Sequence, residues 1–185
     1  MWTLLLLWGC TNPAPTAQWC AYSGQALGTT WTVKWSTPAD TCEEKSVDLA
    51  VQDVLAEVDA QMSTWRDDSE LTRVRQGPGP VAVSEDTLGV VRDALALAEA
   101  TQGAFDPTVQ PLMEVWGFHS RDRAITPPTP EDLEAAQEKV GWRKVTLSHP
   151  EGRPHIDAGG TALDLSAIAK GHAVDRVSAA LSALG

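Results

Sequence analysis

Basic residues are scarce in this chain. Fourteen Lys and Arg stand against 25 Asp and Glu over 185 residues, a formal net charge of −11, and no local cluster of Lys or Arg interrupts the acidic surplus. Such a surface repels nucleic acid and anionic lipid head groups, so no nucleic acid is expected as a partner. It also repels an anionic small ligand, a dinucleotide included, and binding one calls for a divalent cation and aimed backbone N–H groups. Charged residues make up only 21% of the chain against 43% apolar. That balance excludes a disordered composition and leaves enough apolar residues for one sizeable core. Internal repeats and a second domain boundary are both lacking. The apolar run from Met1 to Cys10 is too short to span a bilayer.

That run ends in a small residue followed by Cys10, which is the pattern of a lipoprotein signal. On this reading Cys10 is lipidated, Thr11 to Trp19 form a tether rich in Pro and small polar residues, and residues 20–185 are the folded domain. No Lys or Arg precedes the run and Trp8 is bulky for a position near a cleavage site, so a start-site artefact or a buried first strand stands as the alternative. Removal of Cys10 leaves Cys20 and Cys42, an even count. They are either a disulfide formed after export or two buried thiols.

From Gly28 to Trp35 the residues Trp31, Val33 and Trp35 alternate with Thr and Lys, which predicts a half-buried strand ended by Pro38. From about Ser46, Val47, Val51, Val54, Leu55, Val58 and Met62 fall on one face of a helix. Gly77 to Pro80 break the chain. Ser84 then caps a second helix through Leu88, Val91, Leu95 and Ala98, with Gly103 as its stop. After a loop around Pro107 to Arg123, Thr129 and Pro130 open a short helix closed by Gly141. Short strands are expected at Lys144 to Leu147, Pro154 to Ile156 and Ala162 to Leu163, and a last helix from near Ser166. The elements neither alternate as βαβ units nor segregate fully, so the fold class expected is α+β with a mixed or antiparallel sheet and packed helices.

Two stretches carry the residues best suited to chemistry. The loop Thr101 to Phe118 places Phe105 beside Asp106, with Gly103, Pro107 and Pro111 fixing its path. A ring and a carboxylate side by side suit a planar heteroaromatic ligand. The alternative is an Asp that merely caps an Asp-Pro turn. In the second stretch, from Gly159 to Asp175, a short apolar segment feeds Asp164, and Ser166 and Ala167 open a helix whose free N–H groups make an anion site. Lys170 reaches the same anion, and Asp164 with a carbonyl near Ala167 offers hard oxygens to Mg²⁺; the alternative is a plain N-cap and a surface Lys. His172 and Asp175, three residues apart on one helix face, read as a solvated couple rather than a catalytic pair, because no nucleophile lies at a fixed distance from them. Trp65, in the polar turn Met62 to Leu71, either walls a ligand or covers core.

Taken in order, Ala26-Leu-Gly-Thr-Thr-Trp31, Met62-Ser-Thr-Trp-Arg-Asp-Asp-Ser-Glu-Leu71, Gly103-Ala-Phe-Asp-Pro-Thr-Val-Gln-Pro-Leu112 with Trp116-Gly-Phe118, and Leu163-Asp-Leu-Ser-Ala-Ile-Ala-Lys-Gly-His-Ala-Val-Asp175 resemble the successive motifs of the ApbE family of flavin transferases. The resemblance spans about Gln25 to Gly185 and implies a T-fold-related architecture. It further implies Mg²⁺-dependent transfer of FMN from FAD to a Thr or Ser of a target protein, a subunit of a redox complex, with release of AMP. Carried over by position, the flavin contacts are Leu27, Trp65, Ala104, Phe105, Asp106, Asp164 and Lys170, and the metal contact is a backbone carbonyl at Ala167. Leu27 stands where Met is common and Trp65 where Tyr is common. The family's lipoprotein members sit on the periplasmic face of the bacterial inner membrane, in agreement with a lipidated Cys10. Family members run on well past residue 185 and complete the metal site there, so the chain is expected to be a truncated, inactive portion. The general base is unknown. Two further readings stand beside transfer: hydrolysis of FAD by an Mg²⁺-dependent pyrophosphatase, and a flavin-binding lipoprotein without turnover.

Overall fold

A computed structural model describes residues 18–37, 42, 44–118 and 127–184. The chain divides into two compact units, residues 1–48 and 49–185. Cys10, the apolar leader, Pro38 and the far end of the loop expected to reach Arg123 lie outside the described residues.

The first unit is a β-hairpin of β1 (Gln18–Ala26) and β2 (Thr29–Thr37), paired antiparallel with Ala26 opposite Thr29. The alternation expected for β2 is present: Trp31, Val33 and Trp35 are half-buried, and Thr32 and Lys34 exposed. Its partner β1 was not expected, and Gln18 and Trp19, read above as the end of a tether, belong to it. Only Leu27 and Gly28 join the strands, with φ of 52° and 70°, the positive values that match the twist of a tight hairpin. Gly28 adopts this conformation freely, whereas Leu27 holds it at a cost of about 1–2 kcal/mol. Trp31 lies flat across its partner Gly24, where any Cβ would come within 2.6 Å of the indole, and its ring centroid is 5.5 Å from that of Tyr22. A disulfide joins Cys20 to Cys42, which decides between the paired and free thiols. The Tyr22 hydroxyl bonds Asp48, and that acceptor, with partial desolvation, raises the phenol above its ordinary value.

The second unit is mostly helical. From Leu49 on, helix α1 (Glu44–Met62) belongs to it and turns Val51, Val54, Leu55, Val58 and Met62 inward, as its periodicity predicts. Helix α2 (Glu70–Gln76) was missed in the sequence because seven residues show little periodicity; Ser69 caps it by accepting the Thr72 N–H at 3.0 Å. The Glu70 carboxylate accepts from the backbone N–H and hydroxyl of Ser84, which itself caps α3 (Glu85–Ala100). Helix α4 (Gln110–Val115) falls in the stretch read above as loop, with Pro111 in its first turn, where a missing N–H does no harm. Thr129 and Asp132 form a capping box at the start of α5 (Pro130–Gln137).

Strands β3 (Val81–Ala82), β4 (Thr146–Ser148) and β5 (His155–Asp157) make an antiparallel sheet in the order β3-β5-β4. Ile156 at its centre is opposite both Val81 and Leu147 and is fully buried. The architecture is therefore α+β with small antiparallel sheets, as expected. Ala162 to Leu163, expected as a strand, pairs with no neighbour in either sheet. Helix α6 (Ala169–Ser182) begins three residues after Ser166 and buries only Ala173 deeply, while Val174 is 66% exposed. Arg176 fastens α6 by bonding Asp86 of α3 and Glu57 of α1. No helix among the described residues is long and apolar enough to cross a membrane.

The disulfide closes a separation of 22 residues, and a cross-link of that span stabilises by about 3 kcal/mol through the unfolded chain. Replacing both cysteines (Cys20→Ser with Cys42→Ser) is expected to lower hairpin stability by about that amount. Amide exchange of the β1–β2 ladder, compared with that of α3, measures it.

Candidate functional site

The Phe105 loop begins where α3 ends. There the Thr101 hydroxyl donates to the Leu97 carbonyl at 2.8 Å and accepts the Phe105 N–H at 3.1 Å. Gly103, at φ 86°, turns the chain and returns its N–H to the Ala98 carbonyl. This leaves Ala104 exposed and Phe105 half-buried. Asp106 does what the turn-capping alternative required. Its Oδ1 accepts from the Thr108 N–H at 2.8 Å and the Thr108 hydroxyl at 2.6 Å, and its Oδ2 accepts the Trp142 N–H at 3.3 Å. The carboxylate holds the loop, and three accepted bonds leave acceptor capacity on it, while the ring carries the stacking face. Thr101, Thr108 and Trp142 were not singled out in the sequence. The Asp-Pro-Thr spacing, which lets a carboxylate accept from the residue two positions on, was the one local signal.

Asp164 lies against the same turn. Its N–H donates to the Pro107 carbonyl at 2.8 Å, its carboxylate accepts the Ser166 N–H at 2.7 Å, and the residue is 6% exposed. The segment ahead of it is set by the tight turn at Gly159, φ 59°, packed so closely on Lys144 that a Cβ would fall 2.2 Å from the Lys144 carbonyl oxygen. Beyond Asp164 the expected helix start needs correction. Ser166 and Ala167 form a turn, the N–H groups of Ile168 and Ala169 return to the Leu165 carbonyl, and Ile168 supplies no side-chain cap. With the Ser166 N–H held by Asp164, fewer free donors face outward than a Ser-capped helix would present. Lys170 is exposed, and its ammonium donates to the Ser166 carbonyl at 3.0 Å. Among the described residues no three His, Cys, Asp or Glu side chains converge, so Asp164 and the Ala167 carbonyl form at most part of the oxygen shell Mg²⁺ needs.

The structure thus joins Ala104, Phe105, Asp106, Asp164, Ala167 and Lys170 in one connected region. Trp65 follows α1 and is 54% exposed. Leu27 belongs to the hairpin unit. His172 and Asp175 are not bonded to each other: Asp175 is exposed, while His172 Nε2 is buried with no hydrogen-bond partner among the described residues, so the solvated couple is absent. Beside Trp65, Arg66 pairs with Asp59 at 3.2 Å and Asp68 at 2.8 Å. The Asp68 carboxyl is held below its ordinary value, first by the hydrogen bonds from Arg66 and then by its charge, against partial desolvation.

Residues 27–185 match the model of the ApbE family. The chain belongs to that family. Over 186 residues it is 39% identical to a Vibrio cholerae protein named FAD:protein FMN transferase, covering 99% of this chain and 54% of that relative. It is 36% identical over 168 residues to a Haemophilus influenzae protein of the same name, covering 88% of this chain and 49% of that one. Among solved structures, the flavin transferase ApbE from Vibrio cholerae superposes with a TM-score of 0.82 at 37% identity, over 91% of this chain and 54% of that one. The apo flavinyl transferase ApbE of Pseudomonas stutzeri gives 0.81 at 31%, over 91% and 56%. The chain spans about half the length of the curated relatives it matches.

Gly159→Ala forces a Cβ against backbone atoms in a left-handed turn and is expected to cost about 3 kcal/mol or more, read as a fall in denaturation midpoint. The Asp68 pairing contributes above the carboxyl's unfolded value and is lost as pH falls through its lowered folded value. Arg66→Ala is expected to return the Asp68 titration to the ordinary carboxylate range, which carboxyl-carbon NMR reads directly.

Proposed function

We propose that the protein to which this chain contributes transfers FMN from FAD to a Thr or Ser hydroxyl of a target protein, a redox-complex subunit, with AMP leaving. The observation that carries this reading is the ApbE-family match over residues 27–185, which contains the connected Phe105 and Asp164 loops. In this reaction the acceptor oxygen attacks the FMN phosphorus, the bond from that phosphorus to the bridging diphosphate oxygen breaks, and AMP departs with that oxygen. The hydroxyl proton goes to a base not assigned to this chain.

The chain's own residues take limited roles. Phe105 offers its ring to the isoalloxazine, and Ala104 leaves room beside it. Trp65 supplies further apolar surface. Lys170, exposed one turn past Ser166, counters phosphate charge. Asp164 and the Ala167 carbonyl are the residues of this chain that would share in holding Mg²⁺, which supplies neutralisation of diphosphate charge when bound. Because the surface carries a surplus of acid, that neutralisation is a condition for binding an anionic dinucleotide at all. We place the protein in the bacterial cell envelope, tethered through a lipidated Cys10 to the periplasmic face of the inner membrane. The Cys20–Cys42 disulfide supports an oxidising compartment.

Flavin binding without turnover is the second reading, favoured by the small set of hard ligands among the described residues. The two separate when the chain, alone and fused to the remaining portion of the Vibrio cholerae relative, is incubated with FAD, Mg²⁺ and an acceptor peptide. AMP with FMN on the peptide is the expected result for the fusion. Flavin retained without AMP supports the binder, AMP without labelled peptide supports hydrolysis by water, and neither flavin binding nor AMP contradicts all three readings. Lys170→Ala is expected to reduce transfer by the fusion about 10- to 100-fold, as loss of a charged hydrogen bond implies.

A further inference from the structure

Three polar links converge on one buried residue. Thr108 is fully buried. Its hydroxyl donates to Asp106 Oδ1 at 2.6 Å and accepts the Gly141 N–H at 2.8 Å, 33 residues further on. Its own N–H donates to the same Asp106 oxygen at 2.8 Å. The peptide before it supplies the Pro107 carbonyl that receives the Asp164 N–H at 2.8 Å. Trp142, next to Gly141, closes the circuit with its N–H on Asp106 Oδ2 and its indole beside Gly103, where a Cβ would lie 3.5 Å from Nε1. Thr can do this because a hydroxyl donates and accepts at once. Val has nearly the same shape and can do neither.

We propose that Thr108 is a positioning residue that holds the Phe105 loop and the Asp164 loop in one geometry, so that the surface for the flavin ring and the groups for the diphosphate are placed together. The inference rests on the flavin reading for its purpose, but its geometry stands apart from that reading. Without the hydroxyl, the half-buried Gly141 N–H loses its acceptor and Asp106 keeps only backbone donors, so the turn loosens from the segment before β4. The Phe105 ring and the Asp164 backbone then move independently. Thr108 itself touches no reacting atom.

The test compares Thr108→Val, Thr108→Ser and, as a control for destabilisation, Val91→Ala, which opens a cavity in α3 away from the junction. Residue-resolved amide exchange on the 185-residue chain is expected to quicken about 10-fold or more at Gly141, Trp142 and Asp164 in Thr108→Val. Thr108→Ser is expected to remain within about 2-fold of the parent, and Val91→Ala to lack that local pattern. In the fusion described above, a fluorescence titration with FAD and Mg²⁺ is expected to show an affinity about 10-fold weaker for Thr108→Val but not for Val91→Ala. Unchanged exchange at Gly141 and Asp164, failure of Ser to restore it, or equal weakening of FAD binding by Val91→Ala would overturn the proposal. If the parent fusion binds no FAD, the flavin reading fails, and the exchange pattern alone decides the junction.

Discussion

The geometry of the candidate site depends on one carboxylate, Asp106, engaged on both oxygens. Three donors reach it, two from Thr108 and one from Trp142, and the Pro107 carbonyl between them takes the N–H of Asp164. A loop between helices normally has many shapes available to it, and ordering it costs about 1–2 kcal/mol per residue. Here the cost is met by converting polar groups that would otherwise compete for water into a closed set of short bonds. Such a set loses more than one bond when a member is removed, because the remaining half-buried partners are left without it.

On the proposed flavin reading, an acidic chain poses an electrostatic problem, since FAD is itself an anion. Several carboxylates of the chain are engaged rather than open. Asp106 and Asp164 accept backbone N–H groups, Asp59 and Asp68 pair with Arg66, and Glu114 accepts from Arg75 and Gln110. Lys170 stays exposed beside the Asp164 turn. In the account proposed here, the remaining compensation comes from a divalent cation whose ligand shell this chain supplies only in part.

Long periodic elements were legible in the sequence. The apolar face of α1, the Ser84 cap of α3 and the Thr129 capping box each rest on a local rule and appear as expected. Short elements were not. α2 and α4 have seven and six residues, too few for a period, and β1 was hidden because Gln18 and Trp19 adjoin a tether-like composition. The candidate residues Phe105, Asp106 and Asp164 could be found from motif order, but the role of Asp106 could not. Its partner Trp142 is 36 residues away, and no local pattern shows a bond of that range. The helix start after Asp164 was misplaced because Ser166 resembles a cap, whereas its own N–H is taken by the Asp164 carboxylate.

The most direct test of the account is a crystal structure of the protein, fused to the remaining portion of the Vibrio cholerae relative, with FAD and Mg²⁺ bound. The isoalloxazine is expected against Phe105, with phosphate oxygens within reach of Lys170 and Asp106 still bonded to Thr108 and Trp142. A flavin bound away from the Phe105 loop, or an Asp106 carboxylate swung out to the ligand, would contradict it.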